Sequence, residues 1–151
     1  MMAKLAVAPG GMRCLIAEDE GLIGMALEAC VQDEGYAVIG PFATCTAALH
    51  AFEAHTPEVG TIDYKLKDGC CLELARAFLK RNVPFLVYSG LPRLPELNPE
   101  FRDVPWLEKP TGRADLLGAL AFLIQESRAR VDLDPLTPRQ AQSAQNSAVR
   151  R

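Results

Sequence analysis

Five short apolar runs, separated by helical patterns, constrain the fold of this chain more than any other feature. The runs lack polar alternation, which is typical of strands buried on both faces of a sheet. Strands that alternate with helices at short spacing indicate βαβ units, a parallel sheet and helices on both faces. The sequence therefore predicts an α/β fold, a doubly wound three-layer sheet with strands at residues 12–17, 36–39, 59–62, 83–88 and 104–107.

The segment between the fourth and fifth strands departs from this regular pattern. It contains Pro92, Pro95, Pro99 and Pro105. A proline inside a helix costs about 3 kcal/mol. We therefore expect the fourth helix to be short or irregular, near residues 96–102, or absent.

The domain boundaries follow from where the pattern begins and ends. We expect residues 1–11 to form a flexible leader and residues 12–130 to form the folded domain. Residues 131–151 contain Pro, Gln and Ser without an apolar face, so this tail is expected to be disordered or to contact a partner.

Polar residues follow four of the predicted strands. Glu18 and Asp19 follow the first strand, Asp63 the third, Ser89 the fourth and Lys109 the fifth. Ligands of open α/β sheets bind at the carboxyl ends of the strands. In a flavodoxin-like strand order of 2-1-3-4-5, the first and third strands are neighbours, and the three carboxylates would face one another.

These residue types fit phosphoryl transfer. Carboxylates that lie close together need a counter-charge, and Mg²⁺ binds one or two of them while keeping water ligands. Lys109 would supply a positive charge to a phosphoryl oxygen and Ser89 a hydroxyl donor. Asp63 is a suitable nucleophile, because aspartyl phosphate formation is an established covalent route.

Each signal also has a plainer interpretation. The acids at 18–20 could favour a helix N-terminus, Ser89 and Gly90 could form a turn, and Lys109 could be a solvated lysine. Trp106 taken alone is typical of core or interface packing. The joint occurrence of these polar residues at the ends of four strands favours a phosphoryl-transfer site over the separate interpretations.

The residues now described resemble the receiver domain of two-component response regulators, in a stand-alone form like that of chemotaxis regulators. The likeness rests on Ile-Ala-Glu-Asp-Glu at 16–20 and on Asp63-x-x-Leu-x-Asp-Gly. It also rests on Tyr-Ser-Gly at 88–90 and Trp-Leu-Glu-Lys-Pro at 106–110. The resemblance implies that Asp63 is the phosphoacceptor, charged by a histidine kinase or a histidine phosphotransfer protein.

The resemblance also implies roles for the surrounding residues. Asp19 and Asp63 would bind Mg²⁺ directly, Glu18 would act through water, and the Lys65 carbonyl would be a further ligand. Ser89 and Lys109 would contact the phosphoryl group, Trp106 occupies the position of the switch aromatic, and Lys109–Pro110 would be a cis peptide. Output would pass through contact with an unknown downstream protein, and a homodimer is a further option.

Composition narrows the classes of partner. The net charge of −3 and the pI of about 5.4 argue against nucleic-acid binding. No apolar run approaches the ~20 residues of a membrane span, and the N-terminus lacks the apolar core of a signal peptide. We therefore expect a cytoplasmic protein without a membrane partner.

Two other functions stay open at this point. One is a pseudo-receiver, a binding module that is never phosphorylated. The other is a small phosphohydrolase with an aspartyl nucleophile, for which Asp19 would be the reactive group. The receiver interpretation predicts no enzyme activity beyond self-catalysed phosphoryl transfer and dephosphorylation.

Overall fold

A computed structural model describes residues 11–93 and 99–133 of the chain. In these ranges, a five-stranded parallel sheet is covered by helices on both faces. The elements in chain order are β1 (Arg13–Ala17), α1 (Gly21–Asp33), β2 (Ala37–Phe42), α2 (Cys45–Ala54), β3 (Val59–Ile62), β4 (Lys65–Leu66), β5 (Gly69–Cys70), α3 (Leu72–Lys80), β6 (Phe85–Ser89), a 3₁₀ turn (Pro99–Phe101), β7 (Trp106–Glu108) and α4 (Arg113–Leu133).

The strand order confirms the predicted fold class. The sheet runs β2-β1-β3-β6-β7, and all of its neighbouring strands pair in parallel. The two-residue strands β4 and β5 form a separate antiparallel hairpin. The order is therefore the predicted 2-1-3-4-5 when only the strands of the main sheet are counted.

Consecutive residues of the central strands pack on opposite faces of the sheet. Leu15 lies in the core formed with α2 and α3, where Phe52 and Phe78 are fully buried. Ile16, the next residue, lies in the core formed with α1 and α4, which includes Leu120. Burial on both faces explains why the strands are uninterrupted apolar runs.

The second strand is longer than predicted. The sequence predicts that Gly40 and Pro41 close it, but β2 continues to Phe42 through a cis peptide between these two residues. The register against β1 shifts between Leu15 and Ala17. Proline is tolerated here because β2 is an edge strand. Gly40 has φ +108°, and a Cβ at this position would lie 2.6 Å from the Ile16 carbonyl oxygen.

The later elements also differ slightly from the predicted bounds. β6 and β7 each begin two residues later and end one residue later than predicted. α4 continues to Leu133, past residue 130 where the folded domain is predicted to end. The described part of the proline-rich segment contains one 3₁₀ turn, which agrees with the short or irregular helix predicted near residues 96–102. Residues 94–98, the predicted leader up to residue 10 and the tail from residue 134 lie outside the described residues. Among the helices of the described ranges, none has the length and apolar character needed to cross a membrane.

Candidate functional site

The carboxyl ends of the central strands meet at one edge of the sheet. Asp63 follows β3, and its backbone N–H donates to the Ala17 carbonyl of β1 at 2.8 Å. Lys109 follows β7, and its backbone N–H donates to the Ser89 carbonyl of β6 at 2.8 Å. Backbone hydrogen bonds of the parallel ladder thus hold the polar residues at the strand ends in register.

Lys109 lies between the carboxylates. Its Nζ donates to Asp63 Oδ2 at 2.8 Å and lies 2.9 Å from the Glu18 carboxylate. A third acid, Glu20, is 3.5 Å away through Oε1. Asp63 and Glu18 are 6% and 4% exposed, so the lysine neutralises charges that water reaches poorly.

Burial sets the protonation behaviour of this group. It raises the pKa of Glu18 to about 7, although the hydrogen bond from Lys109 opposes the shift. Burial also lowers the pKa of Lys109, but the hydrogen bonds to Asp63 and Glu18 outweigh this effect and hold it above its usual value. Lys109 is therefore a permanent cation at neutral pH.

Glu18 also belongs to a cluster of three acids that fits a hard divalent cation. Carboxylate oxygens of Glu18, Asp19 and Glu20 lie within 4.8 Å of one another. Both carboxylate oxygens of Glu18 lie 2.9 Å from Lys109 Nζ, so Lys109 holds this carboxylate beside the other two acids. Oxygen donors of this kind suit Mg²⁺. The cluster includes Glu20, which is not among the predicted metal ligands, and it does not include the predicted ligand Asp63.

The remaining predicted residues, Lys65, Ser89 and Pro110, lie at or shortly after the ends of β3, β6 and β7. The Lys65 backbone N–H donates to Asp63 Oδ1 at 3.4 Å. The Ser89 side chain is 1% exposed, and its Oγ accepts from Leu91 N–H at 3.1 Å. The Lys109–Pro110 peptide bond is cis.

Trp106 lies apart from the acids, in a group of aromatic side chains. Its ring centroid is 5.4 Å from that of Tyr64 and 6.3 Å from that of Phe101. The indole Nε1 donates to the Leu91 carbonyl at 2.8 Å, and the Arg93 guanidinium lies over the ring at 5.7 Å. Ser89 and Trp106 therefore contact the same residue, Leu91, one through its N–H and the other through its carbonyl.

The chain is similar in sequence to a curated regulatory protein and in sequence and fold to solved receiver domains. The chain is 32% identical over 123 residues to the transcriptional regulatory protein PdtaR of Mycobacterium tuberculosis, an alignment that covers 77% of this chain and 58% of that protein. The solved REC domain of the response regulator PhyR from Erythrobacter litoralis is 28% identical, with a TM-score of 0.62 over 78% of this chain and 90% of that domain. A CheY-like receiver domain protein from Methanospirillum hungatei is 26% identical, with a TM-score of 0.70 over 79% of this chain and 98% of that one. The chain contains a response-regulator receiver domain. No family model matches the chain.

The chain spans 58% of the length of the curated relative. Sequence reasoning missed three features of this domain. The sequence predicts Glu20 only as the third acid of a run, although its position beside Glu18 and Asp19 is a usable signal. Tyr64, which packs against Trp106, gives no local signal. Asp68 is predicted only as part of the Asp63-x-x-Leu-x-Asp-Gly motif, because its partners at the start of α2 lie far away in sequence.

Proposed function

We propose that this receiver domain accepts a phosphoryl group on Asp63 from a histidine kinase or a histidine phosphotransfer protein. The observation that carries the proposal is the buried Asp63 carboxylate, held 2.8 Å from Lys109 Nζ at the carboxyl edge of a doubly wound sheet. A buried carboxylate beside a fixed cation suits a reaction in which catalysis consists mainly of positioning and charge neutralisation.

The transfer can be written with this chain's own groups. A carboxylate oxygen of Asp63 attacks the phosphorus of the donor phosphohistidine, and the P–N bond breaks as the O–P bond forms. The electron pair of the broken bond stays on the donor imidazole. In this step Lys109 would pair with one phosphoryl oxygen. The Ser89 hydroxyl would leave the Leu91 N–H and donate to a second phosphoryl oxygen.

Mg²⁺ is the proposed cofactor. When bound, it would neutralise charge on the phosphoryl oxygens. Asp19 and Asp63 would hold it directly, Glu18 through water, and Lys65 through its backbone carbonyl. The three carboxylate oxygens of Glu18, Asp19 and Glu20, which lie within 4.8 Å of one another, support a cation at this place.

We further propose that the phosphorylated domain signals by protein–protein contact in the cytoplasm, with Trp106 as the switch aromatic. Its hydrogen bond to the Leu91 carbonyl supports this role, because movement of Ser89 towards the phosphoryl group would displace the same segment. The downstream protein is unidentified, and a homodimer is one form the active state could take. No turnover of an external substrate is proposed.

Intact mass after incubation with acetyl phosphate and Mg²⁺ tests this proposal. The wild type and Asp33→Asn, a control at an exposed position of α1, should each gain one phosphoryl group, whereas Asp63→Asn should gain none. Chelation of the metal should abolish the gain. No gain in any protein would favour the pseudo-receiver, and a gain in Asp63→Asn would place the nucleophile elsewhere. Hydrolysis of a small phosphate ester that is lost in Asp19→Asn would favour the phosphohydrolase.

A further inference from the structure

The tip of the β4–β5 hairpin is tied to the beginning of α2. Asp68 Oδ1 accepts from the Cys45 N–H at 2.7 Å, and Oδ2 accepts from the Thr46 N–H at 3.1 Å and the Thr46 hydroxyl at 2.9 Å. The neighbouring Lys67 N–H donates to the Ala43 carbonyl at 3.0 Å. The tip therefore contacts α2 through both side-chain and backbone hydrogen bonds.

α2 also has an N-cap of its own. Thr44 Oγ1 accepts from the Ala47 N–H at 3.1 Å, in the arrangement expected of a capping threonine. Asp68 comes from another element and satisfies the two N–H groups that Thr44 does not reach. Hydrogen bonds from Cys45 and Thr46 lower the pKa of Asp68, so it is ionised at neutral pH and interacts favourably with the helix N-terminus. Its contribution beyond capping is to hold the hairpin against the helix.

The other end of the hairpin is part of the site. The Lys65 N–H donates to Asp63 Oδ1, and the Cys71 N–H donates to the Tyr64 carbonyl at 3.0 Å. Lys65 pairs with Cys70 across the hairpin. A shift of the tip would therefore reach the Lys65 backbone, whose N–H contacts the acceptor carboxylate.

We infer that Asp68 is a positioning residue of the phosphoryl-transfer site, which fixes the Lys65 backbone and the Asp63 carboxylate by fastening their loop to α2. This inference rests on the proposed function, because that proposal assigns the Lys65 carbonyl and Asp63 to the metal. The Asp68 carboxylate accepts its hydrogen bonds from Cys45 and Thr46, so its effect on the site passes through the hairpin.

The experiment compares Asp68→Ala with Thr44→Ala, which removes a cap from the same helix without touching the hairpin. Asp68→Asn, which keeps one carbonyl oxygen as an acceptor, is the conservative variant. Mg²⁺ alone is titrated calorimetrically into each folded protein. Amide exchange of Lys65 and Lys67 is measured separately in the metal-free proteins.

We expect Asp68→Ala to bind Mg²⁺ about tenfold more weakly than the wild type, a loss typical of residues that orient metal ligands. Thr44→Ala should bind like the wild type, and Asp68→Asn should lie between. Exchange of the Lys65 and Lys67 amides should accelerate in Asp68→Ala and stay unchanged in Thr44→Ala.

Three outcomes would overturn the inference. Equal Mg²⁺ affinity in Asp68→Ala and the wild type would contradict it while leaving the proposed function in place. Equal weakening in Thr44→Ala would mean that the stability of α2, and not the fastening of the loop, controls the site. Absence of Mg²⁺ binding in the wild type would overturn the proposed metal site and this inference together.

Discussion

Single residues decide the charge balance at the edge of the sheet, where Lys109 lies between two buried carboxylates. Replacing it with methionine would leave Asp63 and Glu18 without their cation. Breaking a buried ion pair in this way costs about 3–5 kcal/mol of unfolding free energy. We expect Lys109→Met to show a loss of this size at pH 8, measured by urea unfolding with a metal chelator present.

Lys109→Met should lose less unfolding free energy at low pH than at pH 8. Burial raises the pKa of Glu18 to about 7. A carboxyl whose pKa is raised by folding favours the folded state at low pH, and this contribution is lost as the pH rises through the folded-state pKa. The loss in Lys109→Met should therefore shrink between pH 8 and pH 5. Lys80→Met, at an exposed lysine of α3, should be near neutral at both pH values. An equal loss at pH 5 and pH 8 in Lys109→Met would contradict this account.

At the scale of elements, β3 approaches α3 closely because residue 60 is a glycine. A Cβ there would lie 2.5 Å from the Phe78 ring. The ring is fully buried, and its centroid is 4.7 Å from that of Phe52 and 5.2 Å from that of Phe85, so it has little room to move. We expect Gly60→Ala to lower the unfolding free energy by about 1–3 kcal/mol, as overpacked cores do.

An alanine on α4 provides the matched control for this prediction. A Cβ on Gly118 would meet no atom within 4 Å, and the residue is exposed on the helix. Gly118→Ala should raise the unfolding free energy by up to about 1 kcal/mol through helix propensity. Urea unfolding of both variants should reveal opposite shifts. An unchanged or higher unfolding free energy in Gly60→Ala would show that β3 and α3 can move apart without cost.

The elements themselves could be predicted because their signals are local. Apolar runs buried on both faces predict strands, and the prolines near Pro99 predict that the segment between β6 and β7 forms at most a short helix. The course of β2 through Pro41 could not be predicted, since it depends on an edge position and on the close approach of the Ile16 carbonyl to Gly40. Strand ends likewise predicted Glu18, Asp63 and Lys109 as neighbours. The tie from Asp68 to Thr46 joins residues 22 positions apart and has no local pattern.

At the scale of the whole molecule, the buried cysteines are divided between the two cores. Cys45 and Cys71 are buried in the core between the sheet and α2 and α3, whereas Cys14 and Cys30 are buried on the other face. Cys70 is exposed. Burial raises the pKa of Cys14 to about 12 and also raises the pKa of the other three buried thiols. Because the thiolate is the reactive form, the four buried cysteines react only after the fold opens.

Labelling with Ellman's reagent should therefore give one fast thiol and four slow ones. The slow phase should be on the order of a thousandfold slower, given the usual stability of a folded domain. The fast phase should disappear in Cys70→Ser. In rising urea, all four buried thiols should become reactive over one transition, because both cores share the central strands and unfold together. Earlier exposure of one pair would mean that one helical layer detaches from the sheet before the other.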